Sequence, residues 1–193
     1  MQKLSTAATI ISYVFSPITL IPLVSVLYLL QQPLSGWQRI NSLMIFLGTG
    51  VLPVLILLVY LKKIHRISDW DIQKRQERYL FNFIAIGFGI VMLLLLYLFT
   101  PHVIRFALVI FMWFTLFSVI TLFWKISAHT ACITLLYLVL WQWGFFFQVG
   151  GLLLVLLVAW ARVYRKNHTI TQVIGGSMLS LLVYGFASWF KLI

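Results

Sequence analysis

Acidic residues are nearly missing from this chain: its 193 residues include three Asp and Glu against fourteen Lys and Arg. Charge of either sign is scarce, at 9% of residues, while 63% are hydrophobic. So apolar a composition excludes a soluble domain of this length, which could not hide that much surface from water. There is one cysteine, Cys132, so no disulfide can form within the chain. The four histidines include no closely spaced pair, and no carboxylate cluster accompanies them, which argues against a di-iron centre. Internal repeats, low-complexity tracts and interdomain linkers are absent, and residues 1–193 read as a single integral membrane domain. The net charge of +11 is then no nucleic-acid footprint. In a membrane protein, basic residues mark the cytoplasmic side, meet lipid headgroups or bind anionic substrates.

What is present is a series of long apolar runs. They predict an all-α fold, a polytopic transmembrane helix bundle of about six to seven spans. The expected helices cover 8–30, 40–61, 80–99, 103–123, 131–147, 149–163 and 170–190. The run after Lys3 extends well past the apolar core of a cleaved signal and is expected to be a first span. Pro17, Pro22 and Pro53 fall inside spans and are expected to kink them. Trp37, Trp124, Trp160 and Trp189 sit near span ends, as an aromatic belt would. Residues 131–163 number 33, whereas two full crossings need about 40. Two short helices, both starting below the membrane surface and turning at 148–151, would form a recessed pocket.

Three polar islands interrupt the apolar runs, at 62–78, 125–129 and 162–172. Two spans separate each island from the next, so an even number of crossings places all three on one membrane face. That face collects eleven Lys and Arg, against Arg39, Arg105 and Lys191 on the other. The positive-inside rule then predicts a cytoplasmic site.

Each island has its own chemistry. The first, KKIHRISDWDIQKRQERY from Lys62, holds all three acidic residues, Asp69, Asp71 and Glu77. Its Arg75 and Arg78 stand at helical i, i+3 spacing and could reach one phosphate, which the planar guanidinium binds bidentately. The second, KISAHT from Lys125 to Thr130, opens an apolar helix. Ser127, the backbone N–H of Ala128 and the helix dipole suit an anion, Lys125 adds charge, and His129 follows. In the third, Arg162 and His168 are six residues apart and would diverge on one unbroken helix. The helix must end between them, with Asn167 or Thr169 capping the next. Gln172 lies one turn beyond His168, on the same face.

Taken together, these islands resemble the type 2 phosphatidic acid phosphatase superfamily, which also includes the vanadium haloperoxidases. That family's pattern is K-x6-RP, PSGH and SR-x5-H-x3-D. Here the third element reads Ala161-Arg162, five residues, His168, three residues, Gln172, and the second reads Ile126-Ser127-Ala128-His129. The first keeps Arg78, with Asp71 and Tyr79 at the lysine and proline positions. The motif-bearing part spans about 69–176.

The resemblance implies an integral membrane phosphatase acting on a lipid phosphate or isoprenoid (di)phosphate, with no metal and no cofactor. His168 would attack phosphorus and form a phosphohistidine. His129 would protonate the leaving oxygen. Arg78, Arg162, Ser127 and the Ala128 N–H would hold the phosphate oxygens, with Arg75 or Lys125 replacing the cation lost at Asp71. The implied partners are the membrane and a lipid phosphate, and the implied location is the cell (inner) membrane. Gln172 stands where the family has the aspartate that orients the nucleophile, and an amide brings no negative charge. Asp69 or Asp71 could supply that carboxylate. The competing expectation is a catalytically degenerate relative that binds or moves an anionic phospholipid.

Overall fold

A computed structural model describes residues 2–141 and 144–192, and among them every regular element is helical. Nine α-helices follow in order: α1 (Gln2–Val14), α2 (Pro17–Gln31), α3 (Gly36–Ile45), α4 (Leu52–Lys63), α5 (Glu77–Phe99), α6 (Ile104–Phe123), α7 (Ala128–Leu140), α8 (Phe145–Tyr164) and α9 (Ile170–Trp189). Five helices, counting Gly36–Lys63 as one, are long and apolar enough to cross a membrane, and the bent pair α1–α2 brings the number to as many as six. Large apolar side chains stand open on their surfaces, among them Phe83 at 77% and Phe146 at 80% exposure. Only a hydrocarbon surrounding makes such surfaces stable, which marks an integral membrane protein.

The prolines act where the sequence places them, in different ways. Pro17 begins α2 at a 48° bend from α1, so the expected single first helix is broken there. Pro22 is carried inside α2. Pro53 has no N–H to give and crowds the carbonyl four residues back. The chain answers with a π-type turn, Phe46–Val51, in which the Leu52 N–H reaches back to the Leu47 carbonyl.

The chain forms two compact units, residues 26–123 with 187–193, and residues 1–25 with 124–186. In the first, α5 and α6 form a hairpin through a 3-10 turn at Pro101–Val103. Ile67 and Ile72 fix the 64–76 loop by entering an apolar cluster with Leu57, Leu58 and Leu61. The loop also binds the end of α6: Arg75 Nη1 donates to the Phe123 carbonyl at 2.6 Å, and the Tyr79 hydroxyl to the Leu122 carbonyl at 3.4 Å.

In the second unit α7 is the central element. It is mostly apolar and buried from His129 to Leu136, with His129, Thr130 and Thr134 hydrogen-bonded to neighbouring elements. Small residues let its neighbours close on it, the usual packing device inside a membrane. A Cβ on Gly151 of α8 would come within 2.6 Å of the Tyr137 ring. On α9, Ser180 Oγ donates to the Ala131 carbonyl at 2.6 Å and Thr134 meets Ser177 at 3.1 Å.

This packing corrects the expected turn at 148–151. The glycine pair there lies inside α8, where Gly151 makes room for Tyr137, and α8 begins at Phe145 after Gly144 at φ +100°. Gln142 and Trp143, placed by hydropathy in the fifth span, lie outside the described residues. The shortage of residues therefore falls on α7 alone, which has 13 residues against 20 for α8. At about 1.5 Å per residue α7 is too short to cross a bilayer, and being enclosed by protein it does not need to.

Candidate active site

The third island is two helix ends joined by a tight turn. Helix α8 closes in a Schellman motif. The Lys166 N–H returns to the Val163 carbonyl at 2.9 Å and the Asn167 N–H to the Arg162 carbonyl at 3.1 Å. Lys166 takes the left-handed position at φ +56°, one that glycine more often fills. The His168 N–H then also points at the Arg162 carbonyl, at 3.4 Å. The break expected between Arg162 and His168 is this motif, and it brings the His168 N–H back to the Arg162 carbonyl.

Helix α9 opens with a capping box. Thr169 Oγ1 accepts the Gln172 N–H at 3.3 Å, and Gln172 Oε1 accepts the Thr169 N–H at 3.2 Å. Thr169 is therefore the cap, and Asn167 is not. The box also orients the buried His168. An N–H can only donate, so the Thr169 N–H identifies the Gln172 atom facing it as oxygen. That same oxygen lies 3.1 Å from His168 Nδ1, which must then carry a proton. In the neutral imidazole the lone pair falls on Nε2.

The second island sits against this turn. The Ser127 N–H donates to the Gln172 carbonyl at 3.0 Å, and Lys125 Nζ to the Asn167 carbonyl at 3.1 Å. Ser127 caps α7, its hydroxyl accepting the Thr130 N–H at 3.4 Å. The first N–H groups of a helix have no acceptor within it, and here they belong to Ala128, His129 and Thr130. This close approach depends on Gly176, where a Cβ would fall 2.4 Å from the Ser127 carbonyl oxygen.

Arg162 and His129 meet in the interior, 1% and 3% exposed. Arg162 Nη1 lies 3.5 Å from His129 Nε2, which is 3.1 Å from the Ser12 carbonyl of α1. The carbonyl only accepts and is the nearer partner, so Nε2 holds a proton. The Arg162 contact is then one of proximity rather than a donated bond. Asn167 supplies the guanidinium with an acceptor. Arg162 presents donors and the Arg165 carbonyl an acceptor, so the Asn167 amide turns its oxygen to Arg162. The oxygen stands 3.2 Å from Nη1 and 3.1 Å from Nη2, and the amide nitrogen stands 3.1 Å from the Arg165 carbonyl.

The first-island candidates belong to the other unit. The helical spacing expected for Arg75 and Arg78 does not apply, because α5 starts at Glu77 and Arg75 precedes it. Arg75 closes the end of α6, as described above. Arg78 is buried, donates from Nε to the Ile72 carbonyl at 2.8 Å and stacks 5.9 Å over the Phe117 ring. Asp69 accepts the Gln73 N–H at 3.2 Å in its own loop. Among the described residues, no three His, Cys, Asp or Glu side chains gather closely enough to hold a metal ion.

Three contributors escaped the sequence reading: Asn167 as a partner of Arg162, Thr169 as the group that orients Gln172, and Gly176 as the point of contact with Ser127. The sequence signal for the second was there, since Thr169-x-x-Gln172 is a capping-box pattern. Set beside known proteins, the chain matches no family model, no curated protein and no solved structure.

Proposed function

We propose that this chain is an integral membrane phosphatase, a divergent member of the type 2 phosphatidic acid phosphatase superfamily, that hydrolyses a lipid phosphate or isoprenoid (di)phosphate. The observation that carries this reading is the 3.1 Å contact between His168 Nδ1 and Gln172 Oε1, from which the proton on Nδ1 is inferred. With Nδ1–H held by Gln172 Oε1, the lone pair on Nε2 can attack phosphorus. Arg162, the Ser127 hydroxyl and the Ala128 N–H at the start of α7 would hold the phosphate oxygens in the transition state. The lipid P–O bond breaks as the Nε2–P bond forms, and the leaving oxygen takes a proton from His129. Since Nε2 of His129 already donates to the Ser12 carbonyl, that transfer calls for the imidazolium, whose second proton is on Nδ1. Water then attacks the phosphohistidine and releases inorganic phosphate. The basic islands favour the cytoplasmic face of a cell membrane.

Purified protein is expected to release inorganic phosphate from a panel of lipid phosphates, and His168→Ala to abolish release. Full activity in His168→Ala would overturn the mechanism.

One observation favours a second reading. The partner of His168 Nδ1 is a neutral amide, which stabilises an imidazolium less than a carboxylate does. A relative that binds or moves an anionic phospholipid would tolerate that substitution. Tight binding of such lipids with no phosphate release across the panel would establish it.

A further inference from the structure

All four polar groups of Asn167 are engaged around Arg162. The backbone N–H caps the Arg162 carbonyl at 3.1 Å, and the backbone carbonyl accepts Lys125 Nζ at 3.1 Å. The amide nitrogen meets the Arg165 carbonyl, and the amide oxygen lies between the two Nη atoms of Arg162. One neutral residue thus touches three cationic ones, and all four of its contacts are made to the end of α8 or to Lys125.

An arginine side chain has many rotamers, and an oxyanion binds well only to a fork already held in place. The Schellman motif fixes the backbone of Arg162 but leaves its guanidinium to be oriented by something else. The Asn167 oxygen does this without adding charge. A carboxylate at the same position would hold the fork equally well and neutralise it.

We propose that Asn167 is a positioning residue that orients Arg162 for an oxyanion, its neutrality preserving the positive charge that a phosphate would meet. This inference rests on the reading of Arg162 as an oxyanion ligand.

The test is binding of inorganic phosphate to the detergent-solubilised full chain by equilibrium dialysis, with thermal denaturation measured in parallel. A hydrogen bond to a charged group is worth enough that Asn167→Ala is expected to weaken phosphate binding by about tenfold or more. Asn167→Asp keeps the size of the side chain and its acceptor, and is expected to bind more weakly than Asn167→Ala. A merely structural turn residue would change the melting temperature and leave this order of affinities untouched. Wild-type affinity in Asn167→Asp, which keeps the falsifying comparison if Asn167→Ala fails to fold, overturns the proposal. If the wild type binds no inorganic phosphate, this inference and the phosphatase reading both fall. If binding depends on Asn167 but no lipid phosphate is cleaved, only the phosphatase reading falls.

Discussion

The backbone N–H of His168 points at the carbonyl of Arg162, 3.4 Å away, at the point where α8 has just ended. A spacing of six residues, which on a continuous helix would send two side chains to different sides, here spans a helix end. The Schellman turn uses up Tyr164 to Asn167 and leaves Arg162 in the last turn of one helix with His168 at the mouth of the next. The motif spacing is thus a consequence of how a helix closes.

That closure depends on Lys166 holding a left-handed conformation. Glycine accepts this conformation without strain, whereas for other residues it costs about 1–2 kcal/mol and for β-branched ones more. Lys166→Gly is expected to retain melting temperature and turnover. Lys166→Val is expected to lower both, because the register between Arg162 and His168 shifts. Thermal denaturation and phosphate release on the same preparations check this.

Gln172 has two duties, so its variants separate. Gln172→Ala removes the capping box and the His168 contact together, and is expected to lose about 1 kcal/mol of stability and at least about tenfold in turnover. Gln172→Glu preserves the box, because a carboxylate also accepts from Thr169 N–H and His168 Nδ1–H, and it adds the negative charge that stabilises an imidazolium. It is expected to raise turnover. Gln172→Asp is one methylene shorter, and is expected to gain less than Gln172→Glu. Steady-state rates of the three variants decide the order.

Gly176 and Gly185 lie on the same helix and predict opposite outcomes. A Cβ at Gly176 would fall 2.4 Å from the Ser127 carbonyl, an atom of the backbone that cannot swing away. Gly176→Ala is expected to cost about 1–3 kcal/mol and to disturb Ser127 and His129. At Gly185 nothing lies within 4 Å of the added atom. Gly185→Ala is expected to be neutral or to stabilise α9 by about 0.5–1 kcal/mol. Comparative denaturation in detergent tests the pair.

The arginines should also divide. Arg162→Lys keeps the charge but has no fork for the Asn167 oxygen to bridge, and is expected to lose about 10–100-fold in kcat/KM. Arg75→Ala removes an exposed bond to the Phe123 carbonyl, and is expected to change kcat/KM by less than about twofold. A large loss in Arg75→Ala would return that residue to the list of phosphate ligands.

Long apolar runs in a chain 63% hydrophobic decided that it is helical and lives in a membrane, because such runs have no other solvent and their backbone must be satisfied internally. Residue identity alone also decided which groups can do chemistry, and that Arg162 and His168 need a helix end between them. It could not say where the turn between α7 and α8 falls. A glycine pair reads the same in sequence whether it makes a turn or makes room for Tyr137, and only packing separates the two. Nor could it choose Thr169 over Asn167 as the cap, because both can accept a backbone N–H and the choice depends on how α8 closes. Hydrogen-bond direction was likewise out of reach: the proton on His168 Nδ1 is set by an amide whose own orientation is set by the Thr169 N–H. The glycine contact belongs to the tertiary structure because it joins α7 to α8 and exists only once they have met, whereas the cap and the His168 proton are settled within one helix junction, by a backbone geometry that residue identity does not give.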